Sequence, residues 1–124
     1  MAPVLEPDDR LITRRVPPVA GDVVVARSPT GRTVVKRAVA VGPAEVTLSA
    51  EAVLVDGVVS PWSPPDGVPG AGRWDLDTDH VFLLSDATHR TDADSRAWGP
   101  LPPDAVLGVV RWRYRPLGRV GRIG

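Results

Sequence analysis

The sequence predicts an all-β domain, a small sandwich or barrel built from hairpins. Three observations predict it. Short valine-rich runs recur along the chain, bounded by turn-forming residues. Fourteen prolines and twelve glycines, over a fifth of the 124 residues, fall mostly between those runs, where they mark turns rather than disorder. No segment carries the apolar spacing of an amphipathic helix.

Residues 1–9 are proline-rich and read as extended, and residues 10–15 read as a short strand. GDVVVAR (21–27) has valines at consecutive positions, the pattern of a strand buried on both faces. SPTG (28–31) supplies turn chemistry, and TVVKRAVAV (33–41) returns as the antiparallel partner. Within residues 46–60, AVLV-DG-VVS sets Asp56-Gly57 between β-branched residues. That dipeptide predicts a tight hairpin, because both central turn positions need positive φ. PWSPPDGVPGAG (61–72) holds too much proline for a central strand and reads as loop. HVFLLS (80–85) predicts another buried strand, and residues 87–103 a polar loop. AVLGVVRWRYRP (105–116) closes the fold. Arg111, Arg113 and Arg115 alternate there with Trp112 and Tyr114, the two-residue period of a half-exposed strand. Residues 1–116 are read as one domain and 117–124 as a flexible tail.

Composition narrows the function. The formal net charge is zero, so no electrostatic case exists for nucleic acid as partner. Cysteine is absent, which excludes disulfides, thiol catalysis and cysteine metal sites. His80 and His89 are isolated, and Asp75, Asp77 and Asp79 lack the glycine and distal glutamate of a calcium loop. No metal or cofactor is expected. No apolar run reaches the roughly 18–20 residues of a membrane span, and the first residues lack a signal-peptide pattern. The chain reads as soluble as given, with any membrane attachment through a segment outside it. The arginine-rich end, RWRYRPLGRVGRIG, reads as a half-exposed strand and tail rather than a lipid or RNA surface.

One feature of composition carries chemistry. Of 15 Lys and Arg residues, Lys36 is the only lysine, and it lies in the apolar run TVVKRAVAV. A buried lysine gives up its proton, and an arginine does not. Val34, Val35, Ala38 and Val39 flank Lys36, and desolvation by such neighbours disfavours the ammonium. A neutral amine near operating pH is a general base able to take the proton of a hydroxyl nucleophile.

Three separated pieces then point one way. They are MAPVLEPDDRLI, then GDVVVAR followed by VVKRAVAVG, then FLLSDATHRTDADSRAWGPLP. In that order they resemble the type I signal peptidase family of serine–lysine endopeptidases, including the short maturation proteases for nickel-containing superoxide dismutase. The family shows S-M-x-P-T-L-x-x-G-D, then G-D-x-V, then K-R-V-x-x-x-P-G-D, then G-D-N-x-x-x-S-x-D-S-R-x-x-G. The resemblance runs from Met1 to about Tyr114. It implies that Lys36 is the general base, with Arg37 following it. Met1, Pro3 and Leu5 fall just after the nucleophile, and Asp94, Ser95, Arg96 and Gly99 fall on the box that braces the active site. VLVDG (53–57) matches the family's short hairpin.

The departures are equally specific. In this register the nucleophilic serine falls immediately before Met1, so the nucleophile is expected upstream. Val4 replaces threonine, Asp8 replaces glycine, and Gly42-Pro43-Ala44 stands for P-G-D. In the last box Ser85 stands for glycine, Ala87 for asparagine, and one extra residue precedes Asp94. The serine that orients the lysine is replaced, with Asp92 the candidate. Ser28, Ser49, Ser60, Ser63, Ser85 and Ser95 are the alternative hydroxyls, and none lies in the nucleophile motif. The resemblance implies removal of N-terminal leader or signal peptides from an exported or metal-loaded protein. Cleavage would follow small residues, typically A-x-A, on an extended substrate, without a cofactor. The alternative is an inactive relative that binds extended peptides. A self-cleaving, LexA-like regulator is disfavoured, since no helix-turn-helix precedes the domain.

Overall fold

In the computed structural model, residues 10–49, 52–63, 71–86, 94–114 and 120–122 are described. Met1, Pro3, Leu5, His89 and Asp92 lie outside them. In chain order the strands are β1 (Arg10–Arg14), β2 (Val23–Arg27), β3 (Thr33–Val41), β4 (Ala44–Leu48), β5 (Val53–Val55), β6 (Val58–Val59), β7 (Gly72–Leu76), β8 (Val81–Leu84), β9 (Val106–Tyr114) and β10 (Val120–Arg122). They form two antiparallel sheets. The larger runs β1-β9-β2-β3-β8 with β10 beside β9, and the smaller runs β6-β5-β4-β7. The all-β expectation is met.

The hairpins follow from the turn residues. Between β2 and β3, Ser28 N–H donates to the Arg32 carbonyl and Gly31 sits at φ 87°. Between β5 and β6, Asp56 and Gly57 sit at φ 52° and 81°, the paired positive angles a tight hairpin requires.

Every residue of β8 is buried, because its two faces serve two cores. Phe82 and Leu84 pack with Val39, Ala40, Val46, Leu48, Val53 and Leu76, which joins the two sheets. Val81 and Leu83 pack on the other side with Val24, Ala26, Ala38, Leu101 and Val109. Each such Val, Leu or Phe contributes about 1.5–3 kcal/mol when fully buried. The β3–β8 ladder therefore lies between the two cores.

The chain leaves β3 for the smaller sheet at Gly42. Its N–H donates to the His80 carbonyl, and its own carbonyl accepts from Asp79 N–H. A Cβ here would run into the Asp77 backbone carbonyl. Gly42→Ala is expected to cost about 1–3 kcal/mol, as overpacking against backbone does. Urea denaturation measures it, and an unchanged midpoint would show that the crossing has slack.

Three elements differ from the sequence reading. β7 lies where no strand was predicted. Trp74 and Leu76 turn inward and alternate with exposed Arg73 and Asp75; the Trp74 ring lies tilted against Phe82 with centroids 4.9 Å apart, and β4 supplies the ladder. Part of the expected 87–103 loop is a single helical turn, α1 (Ser95–Trp98), capped by the Asp94 side chain and ended at Gly99, φ 75°. Four residues are too few to show a helical period. Val120–Arg122, within the stretch read as a tail, pairs with Tyr114, Arg113 and Trp112 of β9.

Candidate active site

Lys36 sits mid-strand on β3, opposite Val24 of β2. On its other side β8 pairs with β3 from Arg37 onward: Ala38 faces Leu83 and Arg37 faces Leu84. One more step of that register places Ser85 opposite Lys36. The side chains meet there, with Lys36 Nζ donating to Ser85 Oγ at 2.7 Å. Ser85 is buried, at 6% exposure, and Lys36 is half-buried. Alternation along the strands explains the position. Lys36 shares the face of Val34 and Ala38, and Ser85 shares the face of Leu83, so both point toward the core that holds Val24 and Leu83.

Those surroundings govern the amine. Burial lowers the Lys36 pKa from its ordinary value by desolvating the ammonium. Asp94 opposes the shift, Arg96 adds to it, and Asp86 opposes it. The outcome is an amine drawn toward its neutral form, as the apolar flanks in the sequence led one to expect.

Arg37 points to the opposite face. Its Nη1 donates to the Gly21 carbonyl at 2.6 Å and its Nε to Asp86 Oδ1 at 3.3 Å. Its guanidinium also lies 5.4 Å from the Trp62 ring centroid, within cation–π range. Trp62 follows β6, so this contact ties the smaller sheet to the strand that carries Lys36. Gly21, at φ 98°, lies so close under Trp62 that a Cβ would overlap the ring.

The Asp94-Ser95-Arg96 box braces the far side of Ser85. Asp94 is fully buried. Its Oδ2 accepts from Ser85 N–H at 3.1 Å and from Arg96 Nη2 at 2.9 Å. Its Oδ1 accepts from the Arg96 backbone N–H and Nε, each at 3.0 Å. Ser95 Oγ accepts from Leu83 N–H at 2.8 Å. Beyond the Val81–Leu101 bridge, two side chains thus take over the edge of β8, where no further strand lies among the described residues.

The sequence-predicted residues divide cleanly. Lys36, Arg37, Asp94, Ser95 and Arg96 converge on the β3–β8 end, while Met1 and Pro3 lie outside the described residues. Sequence reasoning missed two members. Ser85 was noted as a departure from glycine and as one of six alternative hydroxyls, not as the lysine's partner, and Asp92, the candidate for orienting the lysine, lies outside the described residues. Trp62 was assigned to a loop. For Ser85 a signal existed: pairing TVVKRAVAV with VFLLS brings it level with Lys36. For Trp62 none did, since its contact crosses between sheets.

Comparison with known proteins points the same way. The family model described as signal peptidase, peptidase S26, matches residues 1–115. The chain is 33% identical over 132 aligned positions to the mitochondrial ATP-independent inner membrane protease subunit 1b of Arabidopsis thaliana, covering 100% of this chain and 70% of that protein. It is 28% identical over 145 positions to a probable signal peptidase I-1 of Synechocystis, covering 100% and 71%. The crystal structure of a signal peptidase I from Enterococcus faecalis superposes with a TM-score of 0.62 at 21% identity, covering 74% of this chain and 95% of that one. With the fold, the lysine strand and a family match over nearly its whole length, the chain belongs to the peptidase S26, or signal peptidase, family.

Proposed function

We propose that this chain is the β-domain of a serine-type endopeptidase that removes N-terminal leader or signal peptides, with Lys36 as general base. The observation that carries the reading is the Lys36 amine itself. It is desolvated on β3, and among the described residues its hydrogen bond goes to a buried hydroxyl and not to a carboxylate. A permanently paired ammonium could not accept a proton, whereas this amine is biased toward the form that can.

The nucleophile is assigned to the serine that the family register puts immediately before Met1. Lys36 takes the hydroxyl proton as the serine oxygen attacks the scissile carbonyl carbon. It then gives the proton to the leaving amine as the peptide bond breaks. Water then attacks the acyl carbon as Lys36 takes its proton, the bond from that carbon to the serine oxygen breaks, and Lys36 returns the proton to the serine oxygen. Substrate access fits the sheet. On β3, β8 pairs with residues 37–41 and Ser85 stands level with Lys36, so among the described residues 33–35 keep an open edge on that side. An extended peptide adding there would reach Lys36 by strand addition.

The test uses two proteins: the chain as given, and the chain extended upstream so that serine precedes Met1. Both are assayed on a leader peptide ending A-x-A. Cleavage by the extended form, reduced roughly 10²–10⁴-fold by Lys36→Ala, is the expected result. Cleavage by neither form would overturn the reading and leave a module that binds extended peptides.

A further inference from the structure

We propose that Ser85 is the positioning residue for Lys36, a buried hydroxyl that fixes the amine on β3 and is itself fixed by Asp94. The inference rests on the reading of Lys36 as the base. It assigns the orienting role to a position where the family pattern has glycine.

Four observations carry it. The Nζ–Oγ distance is 2.7 Å, well inside hydrogen-bond range. The contact follows from the register of β3 and β8 rather than from a chance rotamer, because Ser85 is the next rung after Arg37 and Leu84. Ser85 is buried, at 6% exposure, so its oxygen exchanges poorly with water. Its backbone N–H is held by Asp94 Oδ2 at 3.1 Å, and Asp94 in turn grips Arg96 through both oxygens. The D-S-R box thereby locates the Ser85 backbone, and the Ser85 hydroxyl locates the lysine.

The same geometry argues against Ser85 as the nucleophile. An acyl-forming serine needs an approach for the substrate carbonyl and a free N–H nearby for the oxyanion. Ser85 is buried, and its own N–H is already given to Asp94. A hydroxyl that accepts one amine N–H instead leaves the lone pair of the neutral amine aimed away from it, toward a second hydroxyl. Small losses of such alignment cost as much as 10²-fold in rate.

The experiment exploits Lys36 being the only lysine in the chain. With [13Cε]lysine, an untagged protein gives one side-chain signal, whose pH titration reports Lys36 directly. Among the described residues, the charged groups around that amine are Asp94 at the cap of α1, Arg96 within it and Asp86 after β8; Arg37, its neighbour on β3, points to the other face. The upstream-extended protein is compared with Ser85→Ala and Ser85→Thr, after thermal melts show that each folds. A hydroxyl accepting from the ammonium stabilises the charged form, so Ser85→Ala is expected to move the midpoint to lower pH and Ser85→Thr to return it. Cleavage by Ser85→Ala should show kcat roughly 10- to 100-fold lower with KM nearly unchanged, and Ser85→Thr should recover most of it. An unmoved midpoint with undiminished kcat overturns the proposal. So does an acyl group trapped on Ser85, which would make that residue the nucleophile. If Lys36→Ala still cleaves, the reading of the base fails, and the titration by itself then decides whether Ser85 holds the amine.

Discussion

Lys36→Met is expected to extinguish cleavage, by roughly 10²–10⁴-fold in kcat/KM, while leaving a folded domain whose stability advantage over the parent depends on pH in one direction. The sign follows from the lowered pKa of the amine in the fold. Well below that lowered value the lysine is charged in both the folded and the unfolded chain, and the cost of desolvating the ammonium is fully present. As pH rises from the lowered value toward the ordinary 10.5, the folded chain sheds its proton first and the unfolded chain keeps it. The unfolded state then binds more protons, so the parent gains stability with pH across that window. Methionine has no proton to lose. The difference between Lys36→Met and the parent should therefore favour methionine most below the lowered value and shrink as pH rises from it toward 10.5. Urea denaturation of both proteins over a pH series measures it. A difference that stays constant across the window would mean that the amine titrates as it does in water, and the base assignment would lose its physical ground. Activity and stability pull in opposite directions at this residue, as expected where a site holds an ionisable group in apolar surroundings.

Asp94→Ala is expected to cost about 3–5 kcal/mol, the usual penalty for removing one partner of a buried ion pair. Asp94 is fully buried, and the Arg96 side chain is only 7% exposed. The carboxylate accepts three hydrogen bonds from Arg96 and one from Ser85 N–H, so alanine removes four acceptor contacts and the countercharge together. It also removes the cap of α1, worth about 1 kcal/mol in typical helices. Asp94→Asn keeps one oxygen and should lose less. Denaturant midpoints for both variants check this, and a loss under 1 kcal/mol for alanine would show that the box is not a structural brace. The reading of the site adds a second consequence. Freed from Asp94, the Ser85 backbone no longer fixes the hydroxyl opposite Lys36, and cleavage should fall beyond what the melting temperature explains.

The strand plan was legible wherever hydrophobic pattern and turn chemistry agreed. VVVAR, TVVKRAVAV and VFLL announce strands because valine and leucine at adjacent positions need two apolar faces to cover them, and Asp56-Gly57 announces its hairpin through the backbone angles it accepts. β7 was hidden because Gly72, Arg73 and Asp75 are weak strand formers. Its strand character comes from Trp74 lying against Phe82 and from the ladder with β4, both distant in sequence. α1 was hidden because one turn carries no period, and its cap bonds are local geometry rather than pattern.

Lys36 could be singled out from sequence alone, since its chemistry depends on residue type and on apolar neighbours that a strand must place around it. The bracing role of Asp94, Ser95 and Arg96 was reachable only through family resemblance. What the chain order could not decide was which hydroxyl meets the amine. Ser85 and Lys36 are 49 residues apart, and their meeting is fixed by the β3–β8 register. A one-residue slip would have turned Ser85 to the other face of the sheet. Trp62 over Arg37 belongs to the same class: a contact between sheets, set by how two twisted surfaces pack. Residue identity and local pattern therefore determined the strands and the one amine that can be desolvated among them. Long-range register and packing decided its partner, because those are settled only when the whole core closes.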